Sequence, residues 1–176
     1  MHRILILSFI IIMAQGTFVL IDFTLKSKNN WQIVDDVVMG GESKGQFEIN
    51  EAGHGQFSGE VSLANRGGFS SVRFDLPPVK VTQFSGVRLI VKGDGKPYQF
   101  RIRNSYLNRF TYSAKFSTTG DWQRIEIQFS SMIATFRGYR LDLPRYEGDK
   151  IEELAFLIGN KRNESFELLI DRIELY

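Results

Sequence analysis

The chain has 176 residues, 43% of them hydrophobic and 24% charged, with a formal charge of +2; this is the composition of a chain that folds around a core, and it excludes disorder. It has no cysteine and only two histidines, His2 and His54, which excludes disulfides, thiolate metal sites, cysteine nucleophiles and clustered-histidine metal centres. The near-neutral charge argues against nucleic acid as a partner, and no cofactor and no resident metal are expected.

Residues 1–16, MHRILILSFIIIMAQG, place Arg3 ahead of an apolar run from Ile4 to Met13 that only Ser8 interrupts. Ala14 and Gly16 stand two apart, in the small-x-small pattern of a signal-peptidase site. The run is short for a membrane-crossing helix of about 20 residues. The expectation is a cleaved secretory signal on an exported protein, periplasmic or extracellular. The alternative is a retained segment that anchors the chain to a membrane, and a third reading is a buried first element. Residues 17–176 then form one domain.

Short β-rich segments recur along that domain, separated by glycine-rich turns, as in a sandwich or barrel. The expected strands are 18–25, 46–49, 56–63, 69–76, 87–92, 98–103, 111–116, 124–129, 153–158 and 165–175. Gly93-Asp94-Gly95 reads as a hairpin turn, because glycine supplies positive φ there. Pro77-Pro78 is expected to interrupt regular structure, and residues 130–136 are offered as one helical turn. No window carries a long amphipathic helix. Phenylalanines 23, 47, 57, 69, 74, 100, 116, 129, 156 and 166 are expected to fill the space between two sheets, at about 1.5–3 kcal/mol each. Alternation in Gln99-Phe100-Arg101-Ile102-Arg103 sets the polar side chains on one face and the apolar ones on the other.

Two stretches carry more information. One runs Trp31-Gln-Ile-Val-Asp35-Asp36-Val-Val-Met39-Gly40-Gly41-Glu-Ser43-Lys-Gly45, and the other Gly59-Glu-Val-Ser62-Leu63-Ala-Asn65-Arg-Gly67-Gly68-Phe69-Ser-Ser-Val72-Arg73. With Asp121-Trp122, Phe136-Arg137-Gly138 and the stretch from Phe166 through Asp171, they resemble the complex I intermediate-associated protein 30 family over about residues 18–176. The resemblance implies an all-β, galactose-binding-like jelly-roll sandwich. It also implies a non-catalytic domain that binds a protein partner, chaperone-like, as the mitochondrial members do on respiratory complex I intermediates. The leader here reads as secretory rather than as the arginine-rich extension of those members. An exported carbohydrate-binding module of the same fold is the alternative.

The residues themselves leave several chemistries open. Gly40 and Gly41, between Met39 and Ser43, form either a tight turn closing one end of the sandwich or a loop whose amides hold a polar ligand. Asp35 and Asp36 are either an acid–base pair, oxygen ligands for calcium, or structural hydrogen-bond acceptors. Arg73 is the expected partner of one of these aspartates, pinning the loops around Asn65 and Gly68. Arg101 and Arg103 share a strand face, and Tyr98, Tyr106, Tyr112 and Arg137 are expected near it, a mixture suited to binding protein or sugar. His54 is read as a surface turn residue, and Asn163-Glu164-Ser165 as a glycosylation sequon.

Overall fold

Period-two burial runs through most of the strands, so each presents one apolar face, and two such sheets close on each other. The computed structural model describes residues 16–23 and 31–176. The leader read from residues 1–16 lies outside these residues apart from Gly16, as do Thr24 and Leu25 of the first expected strand. The strands are β1 (Phe18–Asp22), β2 (Trp31–Asp35), β3 (Lys44–Ile49), β4 (Gly55–Val61), β5 (Ser70–Lys80), β6 (Gly86–Gly93) and β7 (Pro97–Arg103). They continue with β8 (Thr111–Ser117), β9 (Trp122–Gln128), β10 (Ile133–Phe136), β11 (Tyr139–Arg140), β12 (Lys150–Ile158) and β13 (Glu164–Leu175).

One sheet has the order β3-β4-β13-β6-β9, with β1 added beside β13, and the other β11-β10-β8-β7-β12-β5-β2. All pairings are antiparallel. The result is the expected jelly-roll sandwich. Phe57, Phe100 and Phe156 lie in its centre, with Leu89, Ile102, Leu154 and Ile170, all fully buried. Trp31 stacks between Phe47 and Phe74 at 4.8 and 5.0 Å. Nine of the ten phenylalanines expected in the core pack there, Phe47 and Phe74 partly buried. Phe69 is half-buried and stands outside the core cluster, because it belongs to the loop before β5.

Three local expectations are corrected. Gly93-Asp94-Gly95 is not a hairpin turn: β6 pairs with β9 and β13, whereas β7 pairs with β8 and β12, so this turn carries the chain between sheets. Asp94 holds the crossing by accepting hydrogen bonds from Tyr98 OH (2.9 Å) and Glu167 N (3.0 Å). Pro77 and Pro78 do not interrupt β5, because they fall opposite a register shift between Ile151 and Glu153 and beyond the last residue paired with β2. At a bulge the ladder asks for no donor that proline lacks. Residues 130–136 are mostly strand: a 3-10 turn covers Phe129–Ser131, and β10 follows to pair with β8.

Adjacent residues of β7 therefore have opposite fates. Truncating the fully buried Phe100 to alanine is expected to cost about 3–5 kcal/mol by lost transfer energy and cavity formation. Arg101→Ala, on the opposite face, is expected to shift the denaturation midpoint far less, and paired urea titrations check this.

Candidate functional site

The two motif stretches meet at one buried carboxylate. Asp36, 1% exposed, opens the 3-10 turn Asp36–Met39, which ends at Gly40 with φ +87°. Its Oδ2 accepts Ser43 Oγ at 2.6 Å and Phe69 N at 3.1 Å, as well as Gly68 N, and its Oδ1 accepts Ser43 N at 3.1 Å. Burial works against the charged form, but these hydrogen bonds outweigh it and hold the carboxyl below its ordinary value. A side chain at Gly41 would collide with the Asp36 carboxyl, and a Cβ at Gly67 would lie 2.6 Å from its Oδ2. These glycines are there so that backbone can close around the carboxylate. Asp35 does the same on a smaller scale, accepting Gly45 N at 2.9 Å. Asn65, with φ +53°, donates to Glu42 Oε1 across the same junction.

Asp35, Asp36, Gly40, Gly41, Ser43, Asn65 and Gly68 are thus brought together, with the backbone of Met39, at one end of the sandwich. The four hydrogen bonds engage both oxygens of Asp36, three at Oδ2 and one at Oδ1, and make it an acceptor that joins the motif loops. Among the described residues no cluster of three or more acidic, histidine or cysteine side chains could hold a metal ion. The expected pairing of Arg73 with an aspartate is not formed. Arg73 opposes Gln32 on β2 and Ala155 on β12, with its side chain on the outer face, whereas Asp36 is met by backbone amides.

That outer face of the seven-stranded sheet collects the second group of polar residues. Cross-strand register sets out a central row Gln32–Arg73–Ala155–Arg101–Ser113. A second row runs Asp75–Glu153–Arg103 and a third Val34–Ser71–Leu157–Gln99–Lys115. Ala155 and Leu157 are 2% and 6% exposed yet stand outside the core between the sheets. Longer side chains of the flanking strands therefore stand over β12.

The cations of this face are incompletely partnered. Arg101 bonds only the neutral Gln99 Oε1, at 2.9 and 3.3 Å. Burial first, and then the like charge of Arg73, push its guanidinium down to about 10. Arg73 makes no hydrogen bond or ion pair among the described residues. Arg103 Nη1 meets Glu153 Oε2 at 3.3 Å, while its buried Nε has no partner. Burial pushes the Glu153 carboxyl up, against the pull of Arg103 and Arg73. At the acidic end Tyr106 is 48% exposed; its OH donates to Glu152 O at 2.7 Å and its N–H to Glu152 Oε2 at 2.8 Å. The ring is an open platform on a pinned loop.

Other expected neighbours lie elsewhere. Tyr98 is on the inner face with Phe100, 1% exposed. Tyr112 opposes Ile102, so it also points inward, packs on Tyr146 at 5.0 Å, and lines a cavity of about 250 Å³ with Phe110, Leu143 and Asp149. Arg137 (φ +49°) and Gly138 (φ +81°) make the two-residue turn between β10 and β11, with the Arg137 guanidinium 5.4 Å from the Phe136 ring. Period two separates Tyr98 and Tyr112 from Arg101, and Arg137 stands apart on a turn beyond β10. Sequence reasoning passed over Gln32, Asp75, Ala155 and Glu153; the available signal was a pair of acids inside the apolar run of β12.

Residues 21–170 match the family model for complex I intermediate-associated protein 30 (CIA30). The chain belongs to that family. Its fold is shared with solved carbohydrate-binding modules. A family 11 carbohydrate-binding module from Clostridium thermocellum, in complex with a β-1,3-1,4-mixed-linked tetrasaccharide, superposes with a TM-score of 0.68 at 20% identity, covering 92% of this chain and 96% of that one. The family 11 module of the C. thermocellum cellulosomal cellulase Lic26A-Cel5E gives 0.66 at 20% identity, with 92% and 95% covered. An agarase gives 0.64 at 10% identity, with 92% of this chain matched to 24% of the enzyme.

The clasp predicts a specific pH dependence. Because the folded Asp36 carboxyl lies below its ordinary value of 3.8, its stabilisation is complete above that value. It is lost as pH falls through the lower folded value. Asp36→Ala is expected to cost about 3 kcal/mol or more at pH 7, through amides left without acceptors. It should also flatten the acid limb of stability, read by urea midpoints between about pH 6 and pH 2.

Proposed function

We propose that this domain is a non-catalytic binding module that lays a carbohydrate chain across the outer face of its seven-stranded sheet. The observation that carries this is the set of unfilled guanidinium donors on Arg73, Arg101 and Arg103, standing along one antiparallel face with the open Tyr106 ring at its edge. Sugar hydroxyls are served by such planar donors, and a sugar's apolar face by an aromatic ring. The likeness to modules solved with or named for carbohydrate supports this reading through fold analogy alone. The leader read from residues 1–16 fits it, since export would bring the domain to polysaccharide.

A second reading is a protein partner, in the manner the family description implies for assembly intermediates. The observation favouring it is the exposed pair Phe136 and Tyr139 on the β10–β11 hairpin, with Tyr139 77% exposed, and the 94% exposed Leu107 of the β7–β8 loop as a further apolar side chain in solvent.

Affinity electrophoresis and calorimetry against a panel of soluble polysaccharides, neutral and acidic, separate the two. On the carbohydrate reading at least one polysaccharide retards the protein, and Arg101→Ala weakens that binding by about tenfold or more with an unchanged melting temperature. Absence of retardation by every member, with respiratory-complex subunits captured from the native envelope, would replace the carbohydrate reading with the protein one.

A further inference from the structure

We infer that the glycan is an acidic one, and that a uronate carboxylate lies over Ala155 between Arg73 and Arg101. This rests on the carbohydrate reading and deepens it. Arg73 and Arg101 both oppose Ala155, one on each neighbouring strand. Strands lie about 4.8 Å apart, so the two arginine-bearing backbones are separated by about 10 Å across a residue with almost no side chain. Each guanidinium is a planar fork suited to bidentate contact with a carboxylate.

Neither fork has an acidic partner of its own. Glu153 is ion-paired with Arg103 and attracts Arg73 and Arg101 without bonding either, the neutral Gln99 is all that Arg101 bonds, and Arg73 bonds nothing among the described residues. Two cations held beside one another repel, and the half-buried position of Arg101 weakens the screening that would relieve them. A neutral hydroxyl would accept a hydrogen bond and leave that repulsion in place. A carboxylate removes both deficits at once.

The remaining charges give the bound chain a direction. Lys115 adds a cation beside Gln99 in the third row, whereas Asp75 and Glu153 make the second row acidic. The uronate carboxylate therefore points toward the Arg101 and Lys115 side. The hydroxyl edge and the sugar's apolar face fall toward Asp75 and Tyr106.

The test titrates the full chain with oligogalacturonate, with β-1,3-1,4-glucan oligosaccharides of equal length, and with polyglutamate. The expected result is about tenfold or greater preference for the uronate over the neutral glucan. That preference should fall on raising salt from about 0.05 to about 0.5 M, since exposed charge is screened. Arg73→Gln and Arg101→Gln should each abolish the preference, costing the uronate about tenfold more affinity than they cost the neutral glucan. Arg101→Lys, which keeps charge but loses the fork, should restore only part of it.

Equal or tighter binding of the neutral glucan would overturn the inference and leave the carbohydrate reading standing. Polyglutamate binding as tightly as oligogalacturonate would also overturn it, by showing that charge alone is read. Failure of both glycans here, together with failure of the whole polysaccharide panel, would overturn the carbohydrate reading itself.

Discussion

A carboxylate buried among backbone amides holds the motif end of this sandwich together. Asp36 sits at the end of β2, binds Ser43 just before β3, and binds Gly68 and Phe69 just before β5. Two segments, one seven residues away and the other more than thirty, converge on its two oxygens. An ionised group can be buried at such a point only if hydrogen bonds replace the water it loses. That requirement explains the local composition: Ser43 supplies a hydroxyl, and Gly41 and Gly67 leave room for close approach. Because β2 and β5 are neighbours in the seven-stranded sheet, the same clasp sets where Gln32 and Arg73 stand on its outer face.

The sheet then does two jobs with one chain. Phe100 and Ile102 enter the core of β7, while Gln99, Arg101 and Arg103 face out between them. On β12 nearly every residue is buried on either side, since it lies at the centre of the sheet with packed side chains over both faces. The buried strand β12 fixes the separation of the flanking arginines, and its Glu153 attracts both while bonding only Arg103.

The family description and the names of the solved structures that share the fold indicate different tasks, and the proposed function rests on the outer-face chemistry. The family is named for complex I intermediates, whereas the solved neighbours include carbohydrate-binding modules and a portion of an agarase. A jelly roll hosts either task. The proposed ligand face is polar, cationic in its centre and flanked by one open tyrosine, while exposed apolar side chains such as Leu107, Phe136 and Tyr139 stand on the β7–β8 loop and the β10–β11 hairpin. The glycan reading follows the polar face.

Family, fold class and most strands were legible in the chain, because period-two alternation and the glycine-rich motifs are local signals that survive without coordinates. The apolar face of β7 and the phenylalanine core followed from that alternation alone. Sheet membership did not: the Gly93-Asp94-Gly95 turn carries hairpin chemistry yet links two sheets, and only long-range pairing with β13 and β12 decides that. The prolines of β5 were misread for the same reason, since the bulge that accommodates them is defined only by the register with β12. The aspartate partner was also a tertiary outcome. Arg73 has the right charge for Asp36, but strand alternation turns its side chain outward, and backbone amides fill the place it would have taken. Local sequence sets which way a side chain can point along its own strand; which strand lies beside it is decided by how the whole core packs.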